Sequence, residues 1–248
     1  DEILNSLKVN TELALAAKTD LIIWPETALP GPMLIDAPSM ELVGDLVSRG
    51  VPILAGSMNY ERFAGSDGLA GREVYYNSSF LVGTNGQVLS EYRKRHLVVF
   101  GEYVPLDKTF PSLVNLVPIG VTCTPGDKAV LMPVPGTEVM LSVLICFEDI
   151  VASLARDAVM GGAGMLVVQT NDGWFDGTPA ALQHMSHTVF RCVENRVPAV
   201  RSANTGISCH VDRLGKVEML EDQGRLTRFA GVGKWLVSTA PGEPTVYS

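Results

Sequence analysis

The chain has no dense run of lysine and arginine. Its most basic stretch is only Arg93, Lys94 and Arg95. With a formal net charge of -8 and a pI near 5.0, it lacks the electrostatic footprint of a nucleic-acid binder, and no nucleic-acid partner is expected. No stretch reaches the roughly 18–20 unbroken apolar residues of a membrane span. There is no GxGxxG and no Walker loop, so a nucleotide site has no motif to rest on. Only four cysteines occur, Cys123, Cys146, Cys192 and Cys209. Their spacing matches neither a metal knuckle nor a disulfide framework. Repeats and low-complexity tracts are missing, as is any shift of composition that would mark a boundary. A single domain over residues 1–248 is the expectation. Asp1 opens directly into a polar-apolar periodic stretch without the pattern of a signal peptide. An initiator Met is also missing, and the chain reads as a piece of something longer.

What is present is a globular composition. Hydrophobic residues make up 46% of the 248 and charged residues 19%, enough for one large core. Residues 2–18 read as a helix, since apolar Ile3, Leu4, Leu7, Leu13 and Leu15 recur without Gly or Pro. Residues 21–24 form a short apolar run stopped by Pro25, the mark of a buried strand. A helix over 38–49 closes at Gly50, and 51–56 reads as a second buried strand. Strands over 75–82 and 87–92 flank the turn residues Thr84, Asn85 and Gly86. Residues 93–124 read as loop with short helices around 108–116. Strands over 129–134 and 139–145 flank Pro135 and Gly136. A helix then runs from Glu148 to about Met160, where Gly161 and Gly162 stop it. Beyond it come a strand over 165–168, a helix over 179–195, and strands over 197–202, 207–211, 217–220 and 235–238. Helices and strands alternate early with hairpins inserted, which fits a layered α/β architecture.

Cys146 stands where an apolar strand meets an acidic helix start, in Leu144-Ile145-Cys146-Phe147-Glu148-Asp149. Such a junction holds a nucleophile rigidly, and helix N-terminal amides favour a thiolate. A strand-end cysteine is equally a buried core thiol. Glu26 follows a buried strand and a proline, at the carboxyl end where α/β folds place working residues. It is either a general base or a loop carboxylate capping an amide. Lys94 can stabilise an oxyanion if it turns inward, but residue physics does not choose between it, Arg93 and Arg95. Glu102 and Glu148 are further acids that can orient a lysine or form ordinary ion pairs. Asn171 and Asp172 suit an Asx-type turn, and Trp174 and Phe175 after it are candidates to wall a pocket. Cys192 and Cys209 read as core thiols. Cys123, after a Pro/Gly-containing segment, reads as exposed and unequipped for chemistry.

Taken together these pieces resemble the nitrilase superfamily of carbon-nitrogen hydrolases. Ile22-Ile23-Trp24-Pro25-Glu26 resembles its base motif, Tyr92-Arg93-Lys94-Arg95-His96-Leu97 its lysine motif, and Ile145-Cys146-Phe147-Glu148 its nucleophile motif. Order and spacing agree. One branch, the apolipoprotein N-acyltransferases, is more similar still. It is resembled by the stretch from His96 to Pro105, by Thr170-Asn171-Asp172-Gly173-Trp174-Phe175 with Gln183-His184, and by the stretch from Arg201 to Ser208.

The resemblance implies a four-layer α-β-β-α sandwich with two central mixed sheets. It implies catalysis by Glu26, Lys94 and Cys146, support from Glu102, Glu148 and Phe147, and no metal or cofactor. It further implies a bacterial inner-membrane enzyme whose catalytic domain faces the periplasm. Such an enzyme takes an acyl chain from a phospholipid onto cysteine, then passes it to the N-terminal cysteine amine of a diacylated apolipoprotein. Members carry membrane segments before and after this domain, and a first strand ahead of the helix at 2–18. None of these is in the chain, so a sheet lacking its first strand is expected. Phe147 stands where many of the branch have Tyr, and Val98-Val99 where Val-Pro is common. A soluble amidase acting on a small C–N bond is the alternative enzyme. A non-catalytic lipid- or peptide-binding domain is the alternative without chemistry, against which the presence of all three triad residues speaks.

Overall fold

In a computed structural model of the chain, residues 2–64, 71–106, 109, 121–175, 178–239 and 245–247 are described. Helix α1 (Glu2–Ala16) ends two residues before the sequence suggests, ahead of Lys18 with its left-handed backbone. Strand β1 (Ile22–Ile23) is short. Helix α2 (Ala37–Val47) starts where the Asp36 carboxylate accepts the Ser39 N–H at 3.0 Å, with Pro38 in the first turn. Strands β2 (Ile53–Phe63) and β3 (Arg72–Val82) pair antiparallel along all eleven residues of each. Both run further than their apolar cores predict. Their polar halves are held by cross-strand pairs such as Tyr60 against Tyr75, a contact that no single strand's pattern reveals. Strand β4 (Val88–Arg93) returns along β3 after the turn at Gly86.

Strands β5 (Met132–Pro133) and β6 (Met140–Ile145) form the next hairpin. The helix expected from Glu148 divides in two. Cys146–Ile150 is a 3₁₀ turn, extended Val151 breaks it, and α3 (Ala152–Met160) follows. Then come β7 (Met165–Asn171), a 3₁₀ turn over Asp172–Phe175, and α4 (Ala180–Asn195), which stops at left-handed Arg196. Strands β8 (Ala199–Asn204), β9 (Cys209–Val211) and β10 (Val217–Met219) complete the set. The strand expected over 235–238 does not form. Trp235 and Val237 pack against the core between the sheets, so burial without ladder bonding made that stretch look like a strand. The short helices expected around 108–116 lie, apart from residue 109, outside the described residues.

Two mixed sheets result, in orders β1-β2-β3-β4 and β10-β9-β8-β7-β6-β5. The parallel pairs are β1 with β2, and β6, β7 and β8 with one another. Side-chain alternation assigns the layers. Ile53, Ala55 and Phe80 face α1 and α2 together with Leu46 and Val47. Leu54 and Leu81 face the other way, into a core shared with Val143, Ile145, Val167 and Val200. Leu144, Leu166 and Val168 lie under Ala155, Ala158 and Met185 of α3 and α4. The layer order is therefore α-β-β-α, and Cys146 sits in the core between the sheets. Among the described residues β1 is the edge of its sheet, with a cavity of about 730 Å³ beside it.

Candidate active site

Glu26 sits on the turn after β1, where that turn crosses Gly56 of β2. A Cβ at Gly56 would lie 2.1 Å from the Pro25 carbonyl oxygen and 2.8 Å from Glu26 Cα, so only glycine permits the crossing. The Ala28 N–H donates to the Gly56 carbonyl at 2.9 Å and closes it. The Glu26 carboxylate is buried and satisfied. Oε2 accepts the Asn171 backbone N–H at 2.7 Å, and Oε1 accepts Asn77 Nδ2 at 2.8 Å and Lys94 Nζ at 3.4 Å.

Lys94 follows β4 directly, and the strand's alternation settles which basic residue points inward. Arg93 faces outward, paired with Glu61 and Glu91 and lying 4.0 Å from the Tyr76 ring centroid. Arg95 reaches toward Asp157 at 3.7 Å. Lys94, only 1% exposed, donates to Glu102 Oε1 at 2.9 Å. Burial alone pulls its ammonium down. The charges of Glu26, Cys146 and Glu102 outweigh that and hold its pKa above the ordinary lysine value. Glu102 is itself pinned, since its Oε2 accepts the Val98 N–H at 2.8 Å. Asn77 on β3 links the two acids, donating from Nδ2 to Glu26 and to Glu102, each at 2.8 Å.

Cys146 closes the group. It takes a left-handed φ of 53°, a strained conformation for a residue with a side chain. Burial, then the Glu26 charge, push the thiol up to about 12. Lys94 and contacts to the Thr170 hydroxyl and the Phe147 backbone amide pull it down. The resting group is therefore a thiol beside a carboxylate and an ammonium, and it loses its proton only to a base. The amides expected from an α-helix start are replaced by those of the 3₁₀ turn.

Glu148 stands apart from this trio and touches no lysine. Fully buried, it accepts the N–H of Arg95 at 2.7 Å, of His96 at 3.0 Å and of Ile145 at 2.8 Å, and both oxygens accept the Tyr92 hydroxyl. It ties the loop after Lys94 to the Cys146 turn. Burial raises its pKa against those hydrogen bonds.

Asn171 forms the expected Asx turn, its Oδ1 accepting the Gly173 N–H at 3.2 Å. Phe175 packs edge-on to Phe147 at 5.8 Å and lines a cavity of about 580 Å³ with Asp172, Thr178, Ala181 and Thr205. Trp174 is not brought to that wall. It stands 82% exposed, on the 3₁₀ turn that buries Asp172. Cys123 is also misread as exposed. A bridge to Tyr75 of β3 buries it, and burial pushes its thiol up to about 11.

Sequence reasoning missed Asn77, Tyr92, Asp149 and Arg201 as parts of the site and its support. The one available signal was polarity out of place: Asn77, Ser78 and Ser79 are buried within the run 75–82, whose other residues are aromatic or aliphatic. Among the described residues, no group of three or more His, Cys, Asp or Glu is placed to hold a metal ion. Likewise no helix there is long and apolar enough to cross a membrane.

Glu26, Lys94 and Cys146 thus lie buried together in a fold of two mixed sheets with helices on both outer faces. The chain belongs to the carbon-nitrogen hydrolases: that family's model matches residues 1–227. Its similarity is more particular as well. It is 38% identical over 212 residues to the apolipoprotein N-acyltransferase of Geobacter metallireducens, a match covering 85% of this chain and 39% of that protein. It is 36% identical over 207 residues to that of Bdellovibrio bacteriovorus, covering 81% and 37%. The chain thus spans about two-fifths of the length of the curated relatives it matches. The carbon-nitrogen hydrolase of Helicobacter pylori G27 shares the fold, with a TM-score of 0.63 over 87% of this chain and 78% of that one at 16% identity.

Proposed function

We propose that residues 1–248 are the catalytic domain of an N-acyltransferase that moves a fatty acyl chain from a phospholipid to the N-terminal cysteine amine of a diacylated apolipoprotein. The observation that carries this reading is the convergence of Glu26, Lys94 and the strained Cys146 thiol in one buried cluster. The names of the relatives supply the acceptor class.

Glu26 takes the Cys146 proton as sulfur attacks the ester carbonyl. The Lys94 ammonium and the Phe147 amide hold the tetrahedral oxyanion. Collapse forms the thioester, and the lysophospholipid leaves as an alcohol carrying the proton that Glu26 returns. The α-amine of the acceptor then attacks, Glu26 takes a proton from the amine, and the Cys146 thiolate departs and is reprotonated. Two lower barriers replace one high one. Glu102 and Asn77 keep Lys94 and Glu26 aligned. Asn171 fixes Glu26 through its backbone, Phe175 walls the acyl pocket, and exposed Trp174 lies where lipid approaches. No cofactor or metal takes part. The domain works at the periplasmic face of a bacterial inner membrane, anchored by segments outside this chain.

Incubating the protein with phospholipid and measuring intact mass tests this. One acyl adduct is expected, on Cys146 and absent from Cys146→Ala. No adduct with phospholipid, together with turnover of a small amide, would make the protein an amidase instead.

A further inference from the structure

Behind the active site lies a second buried cluster that the reaction above does not use. His184 on α4 has an acid at each ring nitrogen: Nδ1 is hydrogen-bonded to Asp172 Oδ1 at 2.9 Å, and Nε2 lies at ion-pair distance, 3.1 Å, from Asp149 Oδ1 without hydrogen-bond alignment. Arg201 on β8 spans the same acids, at 2.8 Å from Asp149 Oδ2 and 3.3 Å from Asp172 Oδ2. Thr188 donates to Asp149 and Thr170 to Asp172, each at 2.9 Å. All six residues are buried.

The geometry sets the protonation state of the ring. Each nitrogen faces a carboxylate oxygen. A neutral imidazole would leave a lone pair beside one of them, whereas a doubly protonated ring donates to Asp172 and sets its positive charge 3.1 Å from Asp149. Charge agrees, since two carboxylates against one guanidinium leave a buried deficit that one imidazolium cancels. Burial alone lowers the His184 pKa, and Asp149 and Asp172 overcome it, so the pKa lies above its ordinary value.

The cluster touches the reacting turn. Asp149 belongs to the same 3₁₀ turn as Cys146. The His184 ring packs on Phe147 at 5.0 Å and on Phe175 at 5.9 Å. Phe147 follows Cys146 on that turn, and its backbone amide is one of the groups that pull the Cys146 thiol pKa down. We propose that His184 is a positioning residue. Clamped between Asp149 and Asp172, it braces the Phe147 ring and thereby holds the Phe147 amide on Cys146 Sγ. This rests on the reading of Cys146 as the nucleophile.

Alkylation of Cys146 by iodoacetamide, followed by peptide mass, reads the sulfur without needing an acyl acceptor. At pH 8, with folding checked by circular dichroism, His184→Gln is expected to slow it about tenfold, equivalent to one unit of thiol pKa. Phe147→Leu should do about the same, and the double variant should be no slower than the slower single one. An unchanged rate in His184→Gln, or losses that multiply in the double variant, overturns the proposal. If His184→Gln does not fold, ring chemical shifts of ¹³C-labelled histidine in the unsubstituted protein decide. A doubly protonated His184 at pH 7.5 supports the clamp, and a neutral one overturns it. The acyl-adduct experiment is independent of these rates, so the two readings can fail separately.

Discussion

At the scale of single residues, the thiol, the carboxylate and the ammonium set one another's state. The Glu26 charge raises the Cys146 pKa, and the Lys94 charge lowers it. Two substitutions therefore separate resting reactivity from catalysis. Glu26→Gln removes a negative charge, so the Cys146 pKa should drop from about 12. Iodoacetamide should then react faster at pH 8, while acyl transfer falls about 10²–10⁴-fold for want of the base. Lys94→Met should slow both, acyl transfer by about 10²–10³-fold. Parallel loss of alkylation and acyl transfer in Glu26→Gln would remove Glu26 from the role of base. Legibility at this scale was uneven. Glu26 and Cys146 stand at strand ends in motifs of fixed order and could be picked out. Lys94 stands between two arginines, and only its place one residue past β4, in step with the alternation of that strand, turns it inward while Arg93 and Arg95 find acids outside.

Between elements, the main joint is Glu148. One carboxylate binds amides from the loop after β4 and from the end of β6, with the Tyr92 hydroxyl closing over it. Glu148→Gln offers one oxygen where two accepted, and it leaves buried N–H groups without partners. We expect a loss of about 2–3 kcal/mol, read as a Tm lower by roughly 4–12 °C, with Lys94 and Cys146 drifting apart and acyl transfer falling further than the stability loss explains. A Glu148→Gln protein with the parent's Tm and activity would reduce this residue to an ordinary buried acid. The sequence marked Glu148 only as an acid near the nucleophile. Its partners His96, Arg95 and Tyr92 lie 52, 53 and 56 residues back along the chain, and local pattern does not show such pairings. Strand lengths were misjudged for the same reason. β2 and β3 continue through polar residues because each supplies the other's ladder, while residues 235–238 are as apolar as a strand yet find no ladder to join.

For the whole molecule, stability follows from how the buried charges are linked to pH. The folded pKa of His184 is raised, as burial, which lowers it, is outweighed by Asp149 and Asp172. Its contribution is complete below the ordinary histidine value of about 6.5 and is lost as pH rises through the higher folded value. Asp172 is the reverse case: burial raises its pKa, but His184 and Arg201 leave it lowered. Its contribution is present above its ordinary value of 3.8 and is lost as pH falls through the folded one. Tm should therefore decline as pH rises above the ordinary histidine value and through the raised folded one, and His184→Gln should flatten that decline. A Tm that climbs steadily from pH 6 to pH 9 in the unsubstituted protein would contradict the linkage.

By itself the sequence determined the alternation of elements, the layered α/β class, and the order and spacing of Glu26, Lys94 and Cys146, because periodicity and strand-end placement are local properties of the chain. Only the tertiary structure decided what those residues meet. It placed Asn77 between two acids, sent Trp174 outward, buried Cys123, and set His184 between two aspartates behind the Cys146 turn. Those outcomes depend on β3, β7, β8 and α4 arriving side by side from distant parts of the chain. Contacts made by packing leave no periodic trace in the strands that make them.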